Sequence, residues 1–576
     1  MSITIDKLRL QRVVDPRTDV NSAERRMYNV FDGAEDVGYV RVFPDGGVNS
    51  TSMTFTANPP SARVFVNRRP LVTMKFQITL TGQSAGAGVP LLQAAGMAAA
   101  PGVSAGTAFY DAPRAFPIAS ATQSLQVSMN NDRLSQNLQQ YYRATTRYAN
   151  PVHQQNGVQS LTPTMLDQSL EYSQLDGFAR SPLRGYGDNS TQTPRGGFSG
   201  CLITRNDSTG APGDIAIVEL NCTEPLFLSP FLFEEHKQDT GFIGLQNMAL
   251  TFSLGGRGIG PLAGLGAALW SHSSGGSALS GISASVLEAS ICFSYLTPDA
   301  VQVIPRLNNY SYYEPTVYPT TSMSNVAPGA TTVLQMNNIQ LNSVPSRIFI
   351  FASPIDSSTT VSSTDTYFGL EGVNISFDNR DSILANATAY DLFAIAQKNG
   401  CNQTFAQWSR YTGGVLALDF GEDIPLRSLQ AVGLRGSYNL RMSVNVRNLS
   451  GSTITPTLTV LVVAEGVLTI HDGNVTRSVG ILNSEDILGT KDQAAIPYHS
   501  SGSLYGGSWA SFWSGVKNAV STVARPLLNV AKTVVPLIAP QYSGAVGIAD
   551  KAAEALGLGL VGGRRISRRQ LSHMLR

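Results

Sequence analysis

At 576 residues the chain is longer than one ordinary core can organise, and length alone implies two to four domains. Charged residues make up only 14%, against roughly a quarter in an average soluble domain, while 54 glycines and 30 prolines supply turns. The net charge of +1 excludes a global pull towards nucleic acid, and four scattered cysteines without a Cys-x-x-Cys pair argue against a metal knuckle or disulfide scaffold.

The first 26 residues mix charge signs and hold no apolar core of signal-peptide length. No run of about 18 apolar residues occurs, so no membrane-spanning helix is expected. The Asn-x-Ser/Thr matches at Asn221 and Asn374 are accordingly read as unused composition. Residues 1–50 are irregular, with turn signals at Asp32-Gly33 and Asp45-Gly46-Gly47. From Val72 to Thr81 apolar and polar residues alternate without a fault, the pattern of a half-buried strand, and 62–67 reads as its hairpin partner. The Gly/Ala-rich stretch 82–108 reads as a long surface loop. Residues 116–131 read as a strand ending in a turn at Asn130-Asn131, 134–148 as a helix, and 185–200 as a surface excursion. Strand patterning returns at 248–254 and 286–296, around a Gly-rich loop at 255–266.

A break falls near 299–319, and the same pattern restarts. Short strands are expected at 347–351, 373–377, 415–420, 440–446 and 458–463, with one helix at 387–399 capped by Asn386 and ended by Gly400. Two successive blocks of short strands and long loops predict two β-sandwiches in tandem.

Motifs for chemistry are weak. Asp419-Phe420-Gly421 lacks the other kinase signatures, and no Gly-x-x-x-x-Gly-Lys-Ser/Thr loop occurs. Gly258-Ile259-Gly260-Pro261 has a proline where a dinucleotide-binding helix would start. Glu234, Glu235, His236 and Asp239 read as a solvated turn rather than a ligand set, because no other histidine pairs with them locally. Gly197-Phe198-Ser199-Gly200 lacks the spacing of a nucleophile elbow. No catalytic constellation emerges, and neither an enzyme nor a bound cofactor or metal is expected.

The tail is different. No acidic residue lies between Asp492 and Asp550. On a helix, Trp509, Trp513, Val516, Val520, Val523, Leu527, Val530 and Val534 form one apolar stripe with alternating steps of four and three. Phe512 joins the tryptophans at one end. Lys517 and Arg525 lie on the polar side with serines and asparagines, and Pro526 kinks or divides the helix. Such a stripe either packs on the body or lies in a membrane interface, where tryptophan and cations are favoured. Gly/Ser-rich flanks and the missing acids favour the membrane. Leu504-Tyr505-Gly506-Gly507 and Leu560-Val561-Gly562-Gly563 bracket the stripe. A protease with a narrow extended cleft can require Gly-Gly before the scissile bond and an aliphatic side chain two positions further back. Cuts between Gly507 and Ser508 and between Gly563 and Arg564 would free 508–563 and a peptide 564–576 with five arginines and no acid. A related Leu262-Ala263-Gly264-Leu265 in the body shows that chance matches occur.

Residues 507–518, Gly-Ser-Trp-Ala-Ser-Phe-Trp-Ser-Gly-Val-Lys-Asn, resemble the amphipathic region of adenovirus protein VI, an internal membrane-lytic protein. The Leu-x-Gly-Gly sites look like those of the adenovirus-type maturation protease, which the resemblance implies as a partner. Peptide 564–576 looks like the basic peptide that activates that protease on DNA, but it lacks a cysteine. The body resembles the double jelly-roll major capsid proteins of the adenovirus, Polinton/adintovirus and virophage lineage. Phe116-Pro117-Ile118 through Leu125-Gln126-Val127 to Asn130-Asn131 carries that likeness, as does the run from Ile348-Phe349-Ile350 to 440–446. It implies trimers, upright sandwiches and outward loops.

The expectation is an all-β chain: an N-terminal arm 1–40, a first jelly roll 41–300 and a second 301–480. A linker 481–507, the amphipathic helical segment 508–563 and the basic peptide 564–576 follow. Its expected place is a virion capsid, after assembly in the host nucleus or cytoplasm. Expected partners are further copies as a homotrimer and lattice, other capsid proteins, the maturation protease, the host endosomal membrane and DNA through 564–576. Two alternatives stay open. One is an RNA-virus coat protein of nodavirus or tetravirus type with a lytic C-terminal helix, where Asn518-Ala519 could be an autocatalytic cleavage dipeptide. The other is a non-viral β-sandwich binding protein.

Overall fold

The computed structural model describes residues 34–488 except 85, 149–160, 169, 171, 173–194, 196–197, 232–240, 300–305, 323 and 429. In the first half the strands are β1 (Ala34–Val42), β2 (Ser52–Ala57), β3 (Phe65–Val66), β4 (Leu71–Ser84), β5 (Ala98–Ala99), β6 (Asp111–Pro113) and β7 (Thr122–Met129). They continue as β8 (Asp132–Gln136), β9 (Cys201–Asn206), β10 (Ile215–Pro225), β11 (Met248–Leu254), β12 (Trp270–His272) and β13 (Ala278–Pro298). The second half holds β14 (Leu307–Thr321), β15 (Thr331–Ser343), β16 (Arg347–Pro354), β17 (Gly369–Phe377) and β18 (Arg380–Ile383). It closes with β19 (Val415–Asp419), β20 (Arg435–Arg447), β21 (Pro456–His471) and β22 (Asn474–Val479). Helices are short: α1 (Pro117–Ala121), α2 (Leu138–Thr145), α3 (Leu265–Leu269), α4 (Ala389–Lys398) and α5 (Ser484–Leu488).

Sheet order identifies the fold. In the first unit, β1-β13-β4-β10 form one sheet and β2-β11-β7-β8 the other. In the second unit, β14-β21-β16-β19 face β15-β20-β17-β18. Numbered along its own unit, each set of eight strands runs first-eighth-third-sixth in one sheet and second-seventh-fourth-fifth in the other. That interleaving of two Greek keys is a jelly roll, and it occurs twice with the same order. The additional strands β9, β5 and β3 widen the first sheet, and β22 pairs with β21.

Period-two sequence explains the first unit. Val72, Met74, Phe76, Ile78 and Leu80 of β4 point inward, and the intervening Thr73, Lys75, Gln77 and Thr79 stay half-exposed. Met248, Leu250, Phe252 and Leu254 of β11 complete the facing wall, with Phe55 edge-on to Phe252 at 5.7 Å. The second unit is different. Residues 347–352 of β16 and 415–418 of β19 are buried without alternation. Both faces of this sheet are covered, one by its own sandwich, the other partly by first-unit residues such as Tyr148, whose ring meets Phe349 at 5.3 Å. That cover explains uninterrupted runs such as Ile348-Phe349-Ile350-Phe351.

Several local expectations need correction. Residues 62–67 are no hairpin partner of β4: β3 pairs with β13, while β4 lies between β10 and β13. The stretch 82–108 is not simply a surface loop, since Leu91, Leu92 and Ala94 are fully buried there and β5 runs parallel to β9. Its small, uncharged composition fills the end of the sandwich without any periodic signature. Residues 117–121 form α1 rather than strand, and the expected helix at 134–148 begins with β8 before α2. The break at 299–319 holds most of β14, hydrogen-bonded to β21 along its length. Pro315 and Pro319 hide it in the sequence, yet β14 is an edge strand, where a missing N–H is tolerated. Helix α4 is capped by Thr388, not Asn386. The Thr388 hydroxyl accepts from the Asp391 N–H, and the Asp391 carboxylate accepts from the Thr388 N–H at 2.9 Å. Gly400, at φ +106, ends it.

Candidate functional site: the seam between the sandwiches

The described polar groups with the most unusual surroundings lie where the two jelly rolls meet. Arg114 is 1% exposed. Its Nε donates to the carbonyls of Ala267 and Trp270, and its Nη2 reaches the Thr360 carbonyl of the second unit at 3.2 Å. Arg195 is fully buried and donates to the carbonyls of Pro113 and Met165 and to the Asp167 carboxylate. Asp167 in turn accepts from the backbone N–H of Asp365 at 2.7 Å, which ties the first unit to the second.

Asp365 is the hub. Its Oδ1 accepts from Arg143 at 2.7 Å and from Arg257, and Arg114 lies 3.5 Å away. Burial opposes its ionisation, but Arg257, Arg143 and Arg114 together hold the carboxyl well below the usual carboxylate range. Beside this hub, Arg147 donates to the carbonyls of Gly413 and Thr412 at 2.8 and 3.0 Å and stacks over Tyr367 at 4.5 Å. The Tyr148 hydroxyl donates to the Val415 carbonyl and accepts from the Ala417 N–H. Gly258 makes close approach possible here: at φ +70 its Cβ would sit 1.7 Å from the Thr359 carbonyl oxygen.

A second set of seam contacts lies at the turn between β7 and β8. Asn130 adopts φ +50 and donates to the Gly473 carbonyl at 2.7 Å. Asn131 exchanges two bonds with the backbone of Val475, and Arg477 pairs with Asp132 at 2.8 Å. A third set joins Tyr310 of β14 to Phe242, with Arg68 over both rings at 5.4 Å.

The arrangement ties the two sandwiches to each other. His272 has both ring nitrogens engaged, Nδ1 with Asp111 at 2.9 Å and Nε2 with the Ser277 carbonyl at 3.0 Å, which leaves no lone pair for general-base work. Burial lowers its proton affinity, but Asp111 outweighs this and raises it, which suits an imidazolium between two acceptors. The Glu224 carboxyl accepts from the N–H groups of Ile118 and Ala119 and from the Thr162 hydroxyl. Burial nonetheless pushes it up to about 7. All four cysteines are free, and burial pushes the thiols of Cys201 and Cys222 up. Among the described residues no group of three or more His, Cys, Asp or Glu could hold a metal ion, and no helix is long and apolar enough to cross a membrane.

The seam was not read from the sequence as a site. Arg195 falls in the stretch 185–200 expected to be a surface excursion, yet it is fully buried. Only the turn at Asn130-Asn131 gave a signal. The tail residues singled out by the sequence (Gly507, Ser508, Trp509, Phe512, Trp513, Val516, Lys517, Val520, Val523, Arg525, Leu527, Gly563 and Arg564) lie outside the described residues, as do Glu234, Glu235, His236 and Asp239.

Known proteins match both units. A family model for the Sputnik virophage major capsid protein 1st domain matches residues 9–259. A model for the major capsid protein V20 C-terminal domain matches residues 315–412 and 410–466. The putative capsid protein V20 of Sputnik virophage is 26% identical over 566 residues, covering 92% of this chain and 90% of that protein. A chain of the cryo-EM structure of the Sputnik virophage superposes with a TM-score of 0.74 at 26% identity, over 87% of this chain and 99% of that one. The mavirus major capsid protein shares the fold, with a TM-score of 0.66 at 14% identity over 85% and 99% of the two chains. Both jelly rolls are thus matched in order by domains of virophage major capsid proteins, and the chain is similar to that family along most of its length.

Proposed function

We propose that this chain is the lattice-forming subunit of an icosahedral shell, acting as a homotrimer, with a C-terminal segment released by proteolysis for entry. The observation that carries the shell role is the repeated jelly roll: two sandwiches of one strand order, locked by a buried seam. A trimer of such pairs presents six similar units, which suits pseudo-hexagonal tiling. Lateral contact has candidate surface in β1, an edge strand with Tyr39 76% exposed and Val37 and Val40 beside it, and in Phe43 just beyond, 64% exposed. Burying these in neighbours is favourable at about 25 cal/mol per Å2 of apolar area.

For the tail, support comes from the sequence alone. Segment 508–563 carries the tryptophan-ended stripe, and 504–507 and 560–563 supply matching protease sites. We infer that an adenovirus-type maturation protease cuts after Gly507 and Gly563, that 508–563 acts on the endosomal membrane, and that 564–576 contacts DNA. Mass spectrometry of purified particles tests the cuts: masses ending at Gly507 and Gly563 are expected, and an intact C-terminus overturns the maturation step. A synthetic peptide 508–535 is expected to release dye from anionic vesicles, with Trp509→Ala and Trp513→Ala together suppressing leakage. Sealed vesicles with the unmodified peptide overturn the lytic role. Native mass spectrometry of the expressed chain tests assembly, where a monomer at every concentration contradicts the trimer.

A further inference from the structure

We propose that the cavity between the two jelly rolls binds a small oxyanion of the phosphate class. The cavity holds about 610 Å3. Its first-unit wall comes from α2 and the 256–258 loop, its second-unit wall from β14, β16 and β21. Arg143 and Arg257 both line it.

Charge at this place does not balance among the described residues. Arg114, Arg143 and Arg257 share the single carboxylate of Asp365. Arg195 pairs with Asp167, and Arg147 is met by backbone carbonyls and the Tyr367 ring. Five guanidiniums thus gather around two buried carboxylates, and Arg143 and Arg257 are the two that line the cavity. The acid on the cavity wall, Asp356, acts on Arg143 but is exposed to solvent, which screens its charge. Cations taken out of water are costly unless compensated, so a positive excess in a recess is an anion site by electrostatics.

Hydrogen bonding points the same way. The Nε of Arg257 is buried without a hydrogen-bond partner, on a residue only 6% exposed. Arg143 uses only Nη1, towards Asp365, among the described residues. Arg143 is half-buried on the cavity wall, so its remaining guanidinium N–H groups are open to an acceptor there. Gln140, Ser353 and Thr459 on the same walls add neutral donors. Several divergent donors with guanidinium forks suit an anion with several oxygens rather than a halide. The volume is also many times the roughly 30 Å3 that one water occupies, which leaves room for phosphate with its hydration or for a nucleotide phosphate.

The test is calorimetry and thermal melting of the full chain with inorganic phosphate against chloride at equal ionic strength. A saturable, phosphate-specific rise in midpoint is expected. Arg143→Gln should weaken phosphate at least about tenfold, the usual scale for a lost charge-assisted hydrogen bond. Ser353→Asp brings a carboxylate into the cavity while keeping every arginine; it should fold at least as stably as wild type and lose the phosphate response. If Arg143→Gln fails to fold, Ser353→Asp decides: loss of the response supports the site and retention overturns it. Indistinguishable phosphate and chloride curves overturn it outright. A nucleoside monophosphate arm separates the sources, a tighter fit indicating a nucleotide and an equal or weaker one the free ion.

Discussion

Replacing Asp365 by asparagine tests the seam most directly. The side chain keeps its size and loses its charge. Arg143, at 2.7 Å, and Arg257 lose their common anion, and Arg114 loses its carboxylate at 3.5 Å. Asp365 is 7% exposed, so water cannot replace the lost partner. Removing one member of a buried ionic set costs about 3–5 kcal/mol, because it strands the remaining charge. A sandwich-sized unit loses roughly 2–4 °C of midpoint per kcal/mol, so a fall of at least about 5 °C is expected. The assay is denaturant unfolding followed by tryptophan fluorescence, with calorimetry beside it. Because the hub ties the two units, the single transition should also broaden or split. Adding Arg257→Met to Asp365→Asn should recover part of the loss, since one stranded cation is gone. Glu219→Gln, which removes the half-exposed Lys75–Glu219 pair at 2.9 Å, is the control and should shift the midpoint far less. A loss below about 1 kcal/mol for Asp365→Asn, or strict additivity in the double variant, refutes the reasoning.

Glu224 gives a pH signature. Its carboxyl is pushed up to about 7 in the fold, above its ordinary 4.5, so the folded state holds the proton more tightly than the unfolded chain. The resulting stability is complete below pH 4.5 and is lost as pH rises towards and through 7, by about 3 kcal/mol at 1.36 per unit. Glu224→Gln should flatten that part of the stability profile, and an unchanged slope between pH 5 and 7.5 contradicts the assignment. Asp365 has the opposite sign: its depressed carboxyl contributes stability above about pH 4, lost as pH falls below it. Gly413→Ala should destabilise strongly, because φ is +74 and the Cβ would lie 1.9 Å from the Tyr367 carbonyl oxygen; wild-type melting in this variant contradicts the geometry. Thr388→Ala should lower stability by about 1 kcal/mol through loss of the α4 cap, while Asn386→Ala should not. Equal effects would restore Asn386 as the cap.

The sequence by itself determined the class of fold. Period-two alternation from Val72 to Thr81 and at 440–446 needs a sheet with one face inward, and turn residues between such runs need a sandwich. The likeness of 116–131 and 348–350 to double jelly-roll capsid proteins pointed to the lineage that the family models then matched. Local rules failed where a distant partner sets the outcome. β14 is a strand despite two prolines because β21 pairs with it, and β3 joins β13 rather than β4 because pairing partners 230 residues apart leave no local mark. The buried runs of β16 and β19 look alike whatever covers them, and only the tertiary structure supplied Tyr148 of the other sandwich. The seam was decided there too. Arg114, Arg143, Arg195 and Arg257 are spread over 143 residues of sequence with the look of ordinary surface cations, and only folding brings three of them onto one carboxylate of the second jelly roll.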